Sequence, residues 1–255
     1  MTKTGWKGMR FCMLIAAAIL MMLVSSCNIY RYVPANDYLF AGSRIQTMHN
    51  EKMPASVVLE LLSKTYPAPN ERILLVPVSL ISYSVSKPPT GKGLNYFLHE
   101  KIGSPPVLLS QANLGDMRRR MVAQLHDLGY LNAIVQDSVV HRKRKALIYF
   151  RISPGTQYTF DTLVFPADSS ELSKAIAATA SETLLKNGLP FTLGNVKAER
   201  ERIDLDLRND GFFFFNPDFL ILAADTNHKN RVNASIFVKP EVTTKPTPVC
   251  TILPA

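Results

Sequence analysis

Two matching segments, whose glycines Gly129 and Gly211 stand 82 residues apart, constrain this chain more than any other feature. The first is Arg118-Arg119-Arg120-Met121-Val122-Ala123-Gln124-Leu125-His126-Asp127-Leu128-Gly129-Tyr130. Its counterpart is Arg200-Glu201-Arg202-Ile203-Asp204-Leu205-Asp206-Leu207-Arg208-Asn209-Asp210-Gly211-Phe212. Arg, Leu and Gly recur, while Ile replaces Met and Phe replaces Tyr. Each copy reads as a helix stopped by glycine, and each is followed by two strands around a polar turn. An 82-residue period is long for a solenoid repeat and suits a tandem domain.

The surrounding residues complete each copy. In the first, Ser43–Met48 alternates as a short strand, and Met53-Pro54-Ala55-Ser56 opens a helix carrying Val57, Val58, Leu61 and Leu62. Met117, Met121, Leu125 and Leu128 mark one face of the second helix, and Ile134–Val140 and Ala146–Ile152 form the hairpin. In the second, Tyr158–Phe165 is a strand and Asp168-Ser169-Ser170-Glu171 starts a helix through Leu172, Ile176 and Ala180. A helix through Val196, Arg200, Ile203 and Leu207 follows, then strand material from Phe213 to Ala224 and a closing strand Val232–Val238. The predicted class is therefore α+β, in tandem β-α-α-β-β modules with two helices on one face of a small sheet. The predicted bounds are 43–156 and 157–240, the first with an irregular insertion at about 70–112.

Neither module explains the N-terminus. Residues 11–24, FCMLIAAAILMMLV, are 14 apolar residues behind Lys3, Lys7 and Arg10. A spanning helix needs about 20 such residues, whereas a signal-peptide core needs fewer. The run closes on Leu23-Val24-Ser25-Ser26-Cys27, small residues before a cysteine, which resembles a bacterial lipobox. Residues 1–26 are thus expected to leave as a signal peptide, with Cys27 lipidated and 28–42 a tether. Processing lowers the formal net charge from +9 to +6, since three cations depart. Cys250 then stands alone in the Pro-rich tail 241–255.

Enzymatic chemistry finds little support. The five histidines, His49, His99, His126, His141 and His228, show no metal-ligand spacing. There is no G-x-S-x-G elbow. Gly91-Lys92 lacks the earlier glycine of a phosphate loop. Asp204 and Asp206 point to different sides of a helix. The basic run His141–Lys145 reads as a solvated turn rather than a contact for acidic headgroups or nucleic acid. Phe212–Phe215 reads as alternating burial at a helix–strand junction. No enzyme, metal or cofactor is expected.

A helix ending in L-x-x-x-G-[Y/F] before a hairpin, within a β-α-α-β-β module, resembles the POTRA domain. Arg31-Tyr32-Val33-Pro34-Ala35-Asn36-Asp37-Tyr38-Leu39, Pro69-Asn70-Glu71-Arg72-Ile73-Leu74 and Lys101-Ile102-Gly103-Ser104-Pro105-Pro106-Val107 add detail. Together with the lipobox they resemble the lipidated TamA-like (TamL) proteins of Bacteroidetes, relatives of BamA in the Omp85 superfamily. Ser104 departs from the acidic residue expected there. That family continues into an outer-membrane barrel of roughly 16 strands of about 10 residues, which the 15 residues after Pro240 do not hold. The expectation is a fragment, or else a freestanding lipoprotein.

The resemblance implies an outer-membrane, periplasm-facing assembly factor held through lipid on Cys27. Its implied partners are unfolded outer-membrane proteins or an inner-membrane TamB-like protein, together with a barrel domain if the chain is a fragment. No nucleic acid is implied. Binding would proceed by strand addition to a sheet edge, with Ile134, Val135 and Val139 on one candidate edge and Phe219 and Ile221 on the other. A structural or scaffolding lipoprotein without client binding is the alternative.

Overall fold

A computed structural model describes residues 29–48, 53–70, 77–86, 91–227 and 230–240. Among these described residues, six strands and six helices follow one another. They are β1 (Leu39–Thr47), α1 (Ala55–Ser63), α2 (Val78–Val85), α3 (Leu94–Tyr96, continuing as a π-helix Phe97–Ile102), α4 (Leu114–Asp127), β2 (Ile134–Arg142) and β3 (Lys145–Ser153). Then come β4 (Thr159–Val164), α5 (Glu171–Ala178), α6 (Leu193–Asn209), β5 (Leu220–Asn227) and β6 (Arg231–Val238). Two three-stranded sheets form, in the orders β1-β3-β2 and β4-β6-β5. The third strand of each copy is central in both, so the internal repeat of the sequence is also a repeat of topology. The α+β class with β-α-α-β-β order is as predicted.

The chain divides into two compact units. Unit 1 takes the described parts of 1–45, 62–117 and 137–150; unit 2 takes those of 46–61, 118–136 and 151–255.

In unit 2, β4 runs parallel to β6, with Phe160 opposite Val232, and β5 runs antiparallel to it, with Ile221 opposite Phe237. Alternation along β6 buries Val232, Ala234 and Ile236 on one face. α5 begins where Ser170 accepts a hydrogen bond from the Ser173 amide, a standard N-cap. α6 begins the same way, Thr192 accepting from Asn195. Ile176 from α5 and Ile203 and Leu207 from α6 close on Phe215, Leu220 and Ile236. Each such fully buried aliphatic side chain contributes about 2 kcal/mol.

In unit 1, Val33, Leu39 and Leu80 form a core flanked by Ile29, Tyr30 and Leu108. Buried His99 stacks on Tyr83 at 4.3 Å and shares a 2.9 Å hydrogen bond with the Ser86 hydroxyl through Nδ1. Asn70 ties down the following segment, donating to the Pro105 carbonyl and accepting from the Val107 amide.

Four expectations need correction. The segment predicted as a tether is built into the fold: β1 starts at Leu39, Val33 is buried, and the Arg144 guanidinium donates to the Val33 and Pro34 carbonyls. The insertion is more regular than predicted: it carries α2, with Pro77 just before its first turn, and α3. The strand placed at Phe213 begins only at Leu220. Phe213 and Phe214 lie in a turn, and Asn216 caps a 3₁₀ turn Pro217–Phe219, its side chain accepting from the Asp218 amide. Burial in the phenylalanine run is therefore not alternating: Phe213 and Phe214 are both exposed and Phe215 is buried. Finally, the charged turn is two residues long, Lys143-Arg144, with Lys143 at φ 55° and His141 and Arg142 inside β2. The expected signal peptide, Cys27 and the Pro-rich segment 241–255 lie outside the described residues.

Candidate functional site

A sheet edge is a row of backbone donors and acceptors, so its availability depends on what else bonds to it. Each sheet here has one covered edge. On β1, the Phe40 amide donates to the Val107 carbonyl and the Leu109 amide to the Tyr38 carbonyl, both at 2.8 Å. On β4, Phe160 donates to the Leu189 carbonyl, and Gly188 and Phe191 donate to the Phe160 and Tyr158 carbonyls, each at 2.8 Å. Segments 107–109 and 188–191 thus occupy the outer sides of the first strands at their N-terminal ends. The opposite margins are β2 and β5. Among the described residues, no backbone hydrogen bond from another segment runs along β5.

Most predicted edge residues fall on these two strands. On β2, Ile134 is 56% exposed, Val135 is 6% exposed and Val139 is half-buried. On β5, Ile221 is exposed opposite exposed Phe237. Phe219 is not an edge residue: it sits in the 3₁₀ turn and packs edge-on against Phe215, with ring centroids 5.8 Å apart. Exposed Val164 on β4 faces Ser235 and adds to this apolar end of the sheet. At its other end Arg231, Asp161 and Asn187 are joined by hydrogen bonds. The outer face of sheet β4-β6-β5 is therefore apolar at one end and polar at the other. A shallow groove lined by Val164–Asp168 and Ser235–Val238 opens at the apolar end.

The titratable groups have structural partners. Asp204 pairs with Arg208 and Asp206 with Arg202, each one turn away on α6. Sequence reasoning missed Glu199, which is fully buried. Its Oε1 lies 2.7 Å from Arg202 Nη2, and its Oε2 accepts from the Leu184 amide. Burial works against the Arg202 charge, but the bond to Glu199 and the fields of Glu199, Asp206 and Glu182 leave its pKa raised. Among the described residues, no three His, Cys, Asp or Glu side chains gather as a metal site. No helix among them is long and apolar enough to cross a membrane.

The architecture defined by these observations is a duplicated β-α-α-β-β unit with one edge of each sheet covered. Its likenesses among solved structures are as follows. BamA from Haemophilus ducreyi lacking POTRA domains 1–3 is 14% identical, with 79% of this chain and 29% of that chain covered and a TM-score of 0.42. POTRA1–3 of the periplasmic domain of Omp85 from Anabaena is 11% identical, with 78% and 61% covered and a TM-score of 0.37. POTRA3–5 of BamA from Haemophilus influenzae is 14% identical, with 81% and 99% covered and a TM-score of 0.31. The chain thus spans under a third of the first of these proteins and about three fifths of the second. No family model and no curated protein matches the sequence.

Proposed function

We propose that this chain is the POTRA portion of an Omp85-type outer-membrane assembly factor, and that it takes up extended polypeptide by strand addition at β5. The observation that carries this reading is the asymmetry of the sheets. Segment 188–191 occupies the start of the β4 edge, while β5 offers eight residues at the other margin. Main-chain bonding tolerates many client sequences, and an exposed Ile221–Phe237 pair offers apolar contact to alternate side chains. β2 is the equivalent margin of the other sheet. The motifs from Arg31 to Val107 and the lipobox favour a lipidated TamA-like protein, held at the outer membrane through Cys27 and facing the periplasm. Clients would be unfolded outer-membrane proteins or an inner-membrane TamB-like partner, and no chemical step is assigned.

Site-specific photo-crosslinking tests the edge. A photoreactive residue at Ile221 or Ile134 should capture unfolded outer-membrane protein, whereas one at Thr159, which is already bridged to Pro190, should not. Equal capture at all three positions, or none at Ile221 and Ile134, would sink the reading.

A further inference from the structure

The residues just after Cys27 are locked against the β2–β3 turn. Ile29 and Tyr30 pack on the core of Val33, Leu39 and Leu80. Arg144 Nη2 donates to the Val33 and Pro34 carbonyls at 2.6 and 2.8 Å, and the Leu39 amide donates to the Arg144 carbonyl at 2.9 Å. Lys145 lies over the Tyr30 ring at 5.8 Å, and His141 packs on Tyr38 with centroids 4.3 Å apart. Arg31 stands over Tyr32 at 5.5 Å. The turn is therefore not an isolated solvated loop, because its cations are gathered beside the N-terminal segment.

The charge balance there is one-sided. Residues 138–151 hold no acid, and residues 28–48 hold only Asp37. That carboxylate is engaged elsewhere, accepting from the Tyr38 amide and the Ser110 hydroxyl. Arg31, His141, Arg142 and Lys143 are exposed. Tyr30, Tyr32 and Tyr38 supply rings with a polar end, the side-chain type that settles at a membrane–water interface.

We propose that this basic end of unit 1, built from Arg31, Arg142, Lys143 and Lys145 around Ile29–Tyr38, binds the anionic headgroups of a lipid bilayer. It rests on the functional reading above only in placing Cys27 in that bilayer. Two peptide units separate Cys27 from Ile29 and reach at most about 7 Å. A lipid on Cys27 would then bring the basic end into the headgroup layer, where opposite charge is within a Debye length. Each cation at an anionic surface favours binding by roughly fivefold, so losing three weakens the docked state by roughly a hundredfold.

The test uses the full chain purified with its anchor and placed on phosphatidylcholine vesicles, with or without phosphatidylglycerol. Hydrogen exchange is followed at 30–37 and 138–146. Phosphatidylglycerol should slow exchange in both segments. High salt should abolish the effect, as should the combined R142Q, K143Q and K145Q substitutions, which leave the Arg144 clamp in place. Exchange at Ile148 and Phe150, buried in the same unit as the substitutions, reports whether that variant folds, and the salt series tests the proposal even if it does not. Equal exchange on both vesicle types, or protection that survives the charge removal in a folded variant, overturns the proposal. Inorganic phosphate should give no protection; protection by phosphate alone would replace the bilayer with a small anion. Association with pure phosphatidylcholine reads the anchor, and crosslinking at Ile221 reads client capture. Failure of either is therefore seen separately from failure of the basic surface.

Discussion

Gly129 faces the carbonyl oxygen of Phe191 with no room for a Cβ between them. The close approach belongs to a small backbone cluster in which the Tyr158 amide donates to the Gly129 carbonyl and the Phe191 amide to the Tyr158 carbonyl. Gly211, its repeat counterpart, has the same left-handed backbone, φ 99° against 87°, but nothing within 4 Å of where a Cβ would stand. Both glycines let a helix end in a left-handed residue. Only the first is also pinned sterically.

Alanine should separate the two roles. Gly211→Ala carries the left-handed penalty alone, about 1 kcal/mol. Gly129→Ala adds a collision with a backbone carbonyl, for about 3 kcal/mol in all. Urea unfolding of the two variants measures the difference, and equal losses would contradict the packing described.

The ion pair inside unit 2 predicts a larger asymmetry than its surface neighbours. Glu199→Ala leaves Arg202 short of its buried acceptor and the Leu184 amide without its carboxylate, at about 3 kcal/mol. Glu199→Gln keeps an oxygen for Leu184 and should lose about half as much. Removing the exposed pair Lys174–Glu171 should change stability by under about 0.5 kcal/mol. Chemical denaturation of the three variants gives the order, and a Glu171 variant as damaging as Glu199→Ala would refute it.

The long helices α4 and α6 and the hairpins were legible because period-3.6 and period-2 apolar patterns ended on glycine or polar turns. The covered sheet edges were not legible because backbone groups hold them, and composition says nothing of backbone pairing. Segments 107–109 and 188–191 cover sheet edges through amides and carbonyls that any residue carries. The Phe212–Phe215 run reads as the start of a strand because aromatic residues favour strands, although Asn216-Pro217 directly after it marks a capped turn. Val33 looked like part of a linker since it is flanked by turn formers. Its burial depends on Leu80, distant in sequence. Of the edge candidates, Ile134 and Ile221 were readable from alternation, while the displacement of Phe219 followed from the same capped turn.

Acid should loosen the start of α5 in a defined window. The hydroxyls of Ser170 and Ser173 and the Ser170 amide hold the Asp168 carboxyl down at about 2, from an ordinary value of 3.8. A carboxyl depressed in the folded chain stabilises it fully above pH 3.8, and that support is lost as pH falls through about 2. Ser173→Ala, which removes a 2.5 Å hydrogen bond to Asp168, should move its titration toward the ordinary value. Carboxyl NMR across this range reads both effects; a midpoint near the ordinary value in the unaltered chain would reject the assigned hydrogen bonds.

The Arg144 clamp gives the last test, because it separates a packed N-terminal segment from a tether. Arg144 donates to the Val33 and Pro34 carbonyls, and these same residues bracket two local turns, Val33 amide to Tyr30 carbonyl and Asp37 amide to Pro34 carbonyl. Arg144→Ala removes both charge-assisted bonds but leaves the backbone bond from the Leu39 amide to the Arg144 carbonyl. Half-exposed bonds of this kind contribute about 1.4 kcal/mol together, a tenfold shift in local opening. The Val33 and Asp37 amides should therefore exchange about tenfold faster, with the Leu39 amide changing least. Arg144→Lys, a point charge able to reach one carbonyl at a time, should fall between the two. Unchanged exchange at Val33 and Asp37 in the alanine variant would mean that the buried Val33 side chain alone holds the segment in place.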